Sequence, residues 1–144
     1  MGVKVYLAGR YSRRLELCGY RQELVDAGYE VTSRWLNGNH EIDTDTQGLS
    51  IQAAASERER FAKEDWADVM AADICVSFTE SPRSTNSRGG RHVEFGASLG
   101  AGRRCIVVGY RENVFHHLPA VEFFGSWVDA RRELLSSIDR GRLT

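Results

Sequence analysis

Apolar positions along this chain follow two rhythms, short β-branched runs and longer stretches at helical spacing, and the two alternate. Val3-Lys4-Val5-Tyr6-Leu7-Ala8 is rich in strand formers and is closed by Gly9, which predicts a first strand. Leu15, Leu17, Leu24 and Val25 follow at helical spacing, and Ala27-Gly28 ends that stretch with a glycine suited to a helix C-cap. Tyr29-Glu30-Val31-Thr32-Ser33 predicts a second strand, so the chain opens with a β-α-β unit, which favours a parallel, right-handed crossover. Residues 51 to about 72 read as a helix with Phe61, Trp66, Val69 and Met70 on its apolar side. Ile74 to Phe78 is a third strand. A helix starts near Arg91 and runs through Glu94, Phe95 and Leu99 to about Gly100. Cys105 to Val108 is a fourth strand, Val121 to Phe124 a short fifth, and Trp127 to Ile138 a final helix.

This alternation predicts an α/β fold: a Rossmann-like open, mainly parallel sheet of about five strands flanked by helices, in one domain over residues 1–144. No internal repeat, low-complexity segment or linker divides it. Ligands bind such sheets at the carboxyl ends of the strands, so the loops after Ala8, Ser33 and Phe78 are expected to converge on a site. The polar segment from Asn37 to about Ser50 and the loop from Glu80 to Gly90 read as loops, and long loops in compact domains are often functional.

Charge narrows the partners. The net charge is −1 and the charges are mixed along the chain, which gives no general electrostatic case for a nucleic-acid polymer. A small anion needs only a local cluster. Apart from Lys4 and Lys63 the basic residues are arginines; guanidinium forks suit phosphate, although a GC-rich genome gives the same bias. Cys18, Cys75 and Cys105 are isolated, odd in number and without metal-type spacing, which points to buried thiols in a reducing compartment. No charged-then-apolar leader opens the chain, and no apolar stretch approaches the ~20 residues that span a bilayer. A cytoplasmic protein with no membrane partner is the expectation.

Candidate chemistry concentrates in Gly89-Gly90-Arg91-His92-Val93-Glu94-Phe95-Gly96. Two glycines let backbone approach a ligand, and the helix that follows presents free N–H groups and a positive dipole end, a field that favours an ionised Glu94. An ionised carboxylate facing a sugar can attack the anomeric carbon and form a covalent glycosyl-enzyme intermediate. The same spacing equally describes a glutamate that only stabilises its helix. Asp65 and Asp68 are three residues apart and share a face; Asp65 is placed to point along the sheet edge toward Glu94 for acid/base work, whereas Asp68 reads as a solvated face residue and Asp73 as structural. Gly9, Arg10, Ser12 and Arg13 open the first helix and suit a phosphate or sugar, or Ser12 simply caps the helix. Tyr6 belongs to the core or aims its hydroxyl at the site. Arg34-Trp35 ends the second strand, where a ring can stack on a base or fill the core. His116-His117 lacks partners at ligand spacing, so no metal is expected.

These residues resemble a known family. "KVYLAGRYS", "EDWADVMAADICV" and "GGRHVEFGASLGAGRRCIVV" are similar to the nucleoside 2-deoxyribosyltransferase superfamily, which includes the deoxynucleoside 5′-monophosphate N-glycosidases and related pyrimidine-nucleotide hydrolases. The resemblance covers about the first three quarters of the chain. It implies that Glu94, in a Gly-x-x-x-Glu-x-Gly setting with Gly90 and Gly96, is the nucleophile. It also implies that Asp65 lies beside Glu94 and that Tyr6 orients it. Six residues before the nucleophile the transferases carry Asp and the monophosphate hydrolases Ser; here Arg88 stands there, next to Ser87. Ser87 and Arg88, with Arg10, Ser12 and Arg13, lean toward a 5′-phosphate. Homodimers or higher homo-oligomers with shared active sites, and no cofactor, are further implications of the resemblance.

The reading is therefore cleavage or exchange of the N-glycosidic bond of a (deoxy)nucleotide or nucleoside. Glu94, Asp65 and Tyr6 are the catalytic residues, and Gly9, Arg10, Ser12, Arg13, Arg34, Trp35, Ser87, Arg88, Gly89 and Gly90 the substrate-binding ones. A nucleotide-binding sensor without turnover is the alternative from another class. A glycohydrolase of a cytokinin-type or dinucleotide substrate is a third.

Overall fold

The computed structural model describes residues 2–38, 51–84 and 89–142. Five strands form one sheet: β1 Lys4–Ala8, β2 Glu30–Val31, β3 Ile74–Phe78, β4 Arg104–Val108 and β5 Glu122–Phe124. All four neighbouring pairs are parallel, in the order β2-β1-β3-β4-β5. Four α-helices flank the sheet: α1 Arg14–Asp26, α2 Ile51–Ala71, α3 Gly90–Gly100 and α4 Trp127–Arg142. The open α/β architecture expected from the alternation is the one observed. The strand order reverses between β1 and β3, and that switch point opens the crevice where doubly wound sheets take ligands.

Register assigns each side chain to a face, since residues paired across parallel strands point the same way and alternate along each strand. Tyr6, Cys75 and Cys105 share one face, and one step toward the carboxyl ends Ala8, Ser77 and Val107 share it too. α2 and α3 cover that face: the Tyr6 hydroxyl reaches α3, and the Cys75 thiol meets Ser98 of α3. Phe78 points to the opposite face, where its ring meets Tyr20 of α1 and Trp127 of α4. There Glu23 of α1 takes hydrogen bonds from Trp127 and Arg131 of α4, and Tyr29 donates to the Leu134 carbonyl. Both strand faces are therefore buried, which is why β3 and β4 read as continuous apolar runs.

Several local expectations change. The second strand shortens to two residues, and the chain turns at Arg34–Asn37 into a 3-10 helix. Leu17 and Leu24, two helical turns apart, face the core, but Leu15 and Val25 are exposed because they point off that stripe. On α2 the inward positions are Phe61, Asp68 and Val69, and Ala72 just beyond the helix is buried too; Trp66 lies on the far side and is 54% exposed. α1 ends as its sequence suggests, with Gly28 just beyond the C-cap at φ +105°, a conformation that favours glycine. Asp73 is structural: its carboxylate accepts the Lys4 amide at 2.9 Å. All three cysteines are free thiols. Among the described residues no helix is long and apolar enough to cross a membrane.

Candidate active site

Glu94 lies in the second turn of α3, whose N-cap is Gly89 at φ +84°. A residue with a Cβ is strained there, so the double glycine serves the sharp entry into this helix as well as close backbone approach. Tyr6, fully buried on β1, donates its hydroxyl to Oε2 of Glu94. The contact joins residues 88 apart in sequence and places the carboxyl over the β1/β3 switch point. Burial pushes the Glu94 carboxyl up to about 8. This corrects the expectation that the helix field would favour the ionised form: removal from water costs the anion more than the helix end returns. A raised carboxyl that remains partly accessible is the kind of group that active sites hold near the working pH.

Asp65 lies half-buried on α2, which packs on α3. Asp68, one turn on, is buried rather than solvated. Its carboxylate accepts the Arg34 amide (3.0 Å) and Nε (2.9 Å), and its carbonyl accepts Thr32 Oγ1 (2.8 Å). Arg34 is thus tied to α2, with Glu64 3.7 Å away as a second carboxylate. Trp35 is buried at 5% exposure and donates Nε1 to the Leu7 carbonyl (2.8 Å), so it fills the core beside Tyr11 rather than presenting an open ring.

The first loop is unequal in its parts. Gly9 lies so close to α1 that a Cβ there would sit 3.1 Å from Leu17 Cδ2. Arg13 is held by Glu16 (2.7 Å) and Glu80 (2.8 Å), and a phosphate would have to displace a carboxylate to reach it. Ser12 is exposed and caps neither the 3-10 turn nor α1. Arg10 is half-buried; its carbonyl accepts the Arg13 amide (2.9 Å), and its side chain makes no hydrogen bond or ion pair among the described residues. Ser87 and Arg88 lie outside the described residues; Gly89 and Gly90 begin α3, and a Cβ on Gly90 would meet open space.

The residues not anticipated from sequence form a truss behind the site. Arg91 is 4% exposed and grips Glu112 with both terminal nitrogens (2.5 and 2.8 Å). Glu112 also accepts the Glu80 amide (3.1 Å) and gives its own amide to His116 Nδ1 (2.9 Å). Burial would raise Glu112, but the Arg91 and Glu80 hydrogen bonds outweigh it and hold the carboxyl down at about 2. His116 is buried and pushed down to about 4, first by burial and then by His92, so its neutral ring serves as a backbone acceptor. Arg91 sits inside the glycine motif yet reads in sequence as an ordinary solvated arginine, and nothing in the spacing links it to Glu112. Among the described residues no three His, Cys, Asp or Glu side chains group as a metal site.

A carboxyl held by a buried phenol at the switch point of a 2-1-3-4-5 sheet is an arrangement set out for a small ligand at the carboxyl ends of β1 and β3. The fold is that of the nucleoside 2-deoxyribosyltransferases and related N-glycosidases, as the resemblance implied. The 2-deoxyribosyltransferase of Bacillus psychrosaccharolyticus superposes with a TM-score of 0.65 at 21% identity, over 90% of each chain. The 2-deoxyribosyltransferase of Leishmania mexicana gives 0.59 at 13% identity, over 93% of this chain and 97% of that one. The CMP N-glycosidase of Clostridium botulinum gives 0.53 at 17% identity, over 94% and 98%. No family model matches the sequence, and no curated protein does.

Proposed function

We propose that this protein cleaves or exchanges the N-glycosidic bond of a (deoxy)nucleotide or nucleoside, with Glu94 as nucleophile. The observation that carries the reading is the hydrogen bond from buried Tyr6 to Glu94 at the switch point, which holds one carboxylate oxygen and leaves the other for attack. In this mechanism an oxygen of ionised Glu94 bonds to the anomeric carbon. The bond from that carbon to the base nitrogen breaks with its electron pair, and the departing base takes a proton, which Asp65 is the candidate to supply. Water or a second base then attacks the same carbon and frees the Glu94 carboxylate. Arg10, engaged by no described carboxylate, is the described arginine best suited to a 5′-phosphate, together with Ser12, Ser87 and Arg88.

Incubation with a panel of nucleosides and 5′-monophosphates, with chromatography for free base, tests this. Adding a second base separates transfer from hydrolysis. Tight binding of a nucleotide with no base release from any substrate would replace the proposal with a sensor. The pH dependence follows from Glu94. Because the free carboxyl is raised to about 8, kcat/KM should climb about tenfold per pH unit below that midpoint and level off above it. A flat profile from pH 6 to 8 would remove Glu94 as the titrating nucleophile.

The protein is further proposed to act as a homodimer or higher homo-oligomer, as the resemblance implies, and in the cytoplasm, as the isolated cysteines suggest. An open apolar groove runs along the outer side of α3, lined by Val93, Phe95, Gly96, Leu99, Phe115 and Leu118, with Val93 64% exposed. A second copy seated there would cover surface that a monomer rarely exposes. Val93→Glu should convert the assembly to monomers in multi-angle light scattering; a wild type that is monomeric at high micromolar concentration refutes it.

A further inference from the structure

Ser77 carries a hydroxyl on the Tyr6 face of the sheet whose chemistry nothing above uses. It is fully buried, and its hydroxyl makes no hydrogen bond among the described residues. A buried orphan hydroxyl costs stability, so its presence asks for a compensating use.

Register and helix geometry place it. Ser77 pairs with Ala8, two residues beyond the Tyr6–Cys75 pair and on the same face. Cys75 lies under Ser98 of α3, and Ser98 in turn donates to the Glu94 carbonyl (3.1 Å), one turn back along the helix. α3 leaves the carboxyl end of β3 and returns to the start of β4, so it runs antiparallel to the strands. Four residues back along a helix cover about 6 Å, and two residues forward along a strand about 6.6 Å. Ser77 therefore stands at the height of Glu94, on the face that α3 covers. The small Ala8 beside it leaves the Ser77 hydroxyl and the Tyr6 phenol as the polar groups that β1 and β3 present there.

We infer that Ser77 is the second hydrogen-bond donor to the Glu94 carboxylate, engaged when that carboxyl gives up its proton. Tyr6 already donates to Oε2. The Ser77 Oγ bonds to neither carboxylate oxygen in this arrangement; rotation about its Cα–Cβ bond is the movement that adds a second donor to Oε2, and Oε1 stays free to attack. Hydrogen bonds to an ionised acceptor are stronger than those to a neutral one, so the donor stabilises the anion selectively. Ser77 is then a positioning residue, and its role in turnover rests on Glu94 being the reacting carboxylate.

Other groups near Glu94 leave this role open. On α2, Asp68 is neutralised by Arg34, and Asp65 adds a further carboxylate. On α3, Arg91 is bound to Glu112, and His92 lies beside both. On β3 and β4 the Cys75 and Cys105 thiols are pushed up by burial, to about 12 and about 11, and stay protonated.

The test is Ser77→Ala in the full chain, with the Glu94 carboxyl followed by 13C NMR on glutamate-labelled protein and assigned by its loss in Glu94→Gln. The Glu94 midpoint should move up by about one pH unit, a shift typical of one lost hydrogen bond to a charge. The acid limb of kcat/KM should move with it, giving a roughly tenfold loss at pH 7 that closes at high pH. The melting temperature should hold or rise, because the variant removes an unpaired buried hydroxyl. An unmoved Glu94 midpoint overturns the inference, whatever happens to the rate. A moved midpoint in a protein that releases no base from any substrate upholds the hydrogen bond and defeats the catalytic reading instead.

Discussion

Glu94→Ala is expected to lower base release at least about 10³-fold, since no neighbouring group can replace the carboxylate that forms the glycosyl bond. The loss should fall on kcat, with nucleotide affinity kept, because Arg10 and the glycine turn are untouched. Glu94→Gln, which preserves shape, should be as inactive and serves as the control for folding. Its stability carries its own signature. The wild-type carboxyl is raised in the folded chain, so the proton it holds stabilises the fold fully below the unfolded value near 4.5. That contribution is lost as pH rises toward about 8. The wild type should therefore melt progressively lower across pH 4.5 to 8, and Glu94→Gln should lack that component of the decline. Retained base release by either variant would sink the mechanism.

Arg91→Met is expected to cost about 3 kcal/mol of stability, because it leaves the half-buried Glu112 carboxylate without its cation. In a domain of this size that is a fall of roughly 10 °C in Tm, read by calorimetry. Glu112 is held down at about 2, so its contribution is present above the unfolded value near 4.5 and fades as pH falls toward 2. The Arg91→Met deficit should accordingly shrink in acid. The double variant Arg91→Met/Glu112→Leu should recover much of the loss, because it removes both charges together. An Arg91→Met protein as stable as wild type would show that the Arg91–Glu112 pair does not hold the fold together.

The sheet was legible because its strands are short, β-branched and buried on both faces, so β1, β3 and β4 stand out as runs. The second strand was less so: after Val31 the chain turns, and Trp35 docks on the Leu7 carbonyl, a tertiary contact that local propensity does not carry. In the candidate site, Glu94 stood out at a glycine-bounded helix start, whereas the residues left Tyr6 between core and site. Their bond, across 88 residues, was implied only by resemblance. Asp68 was misjudged because a carboxylate on a helix face looks solvated until Arg34 folds back onto it. Arg13 and Arg34 were read as ligand-facing from position alone, and both are held by carboxylates. Glu112 gave no signal and His116 was weighed only as a metal ligand, since a loop glutamate and a paired histidine take their meaning from neighbours that the fold brings up.

The strand order has a consequence for how the chain is made. β1 leaves the ribosome well before β3, yet it lies inside the sheet and must pair with that strand some seventy residues later. At about 5–20 residues per second of synthesis, that wait lasts roughly 4–14 s. The Tyr6 phenol spends it without its partner, and only after α3 has emerged can acid and phenol meet. Nascent chains stalled before Ile74 should therefore present the apolar β1 strand with one edge unsatisfied, the state in which a holding chaperone would matter most.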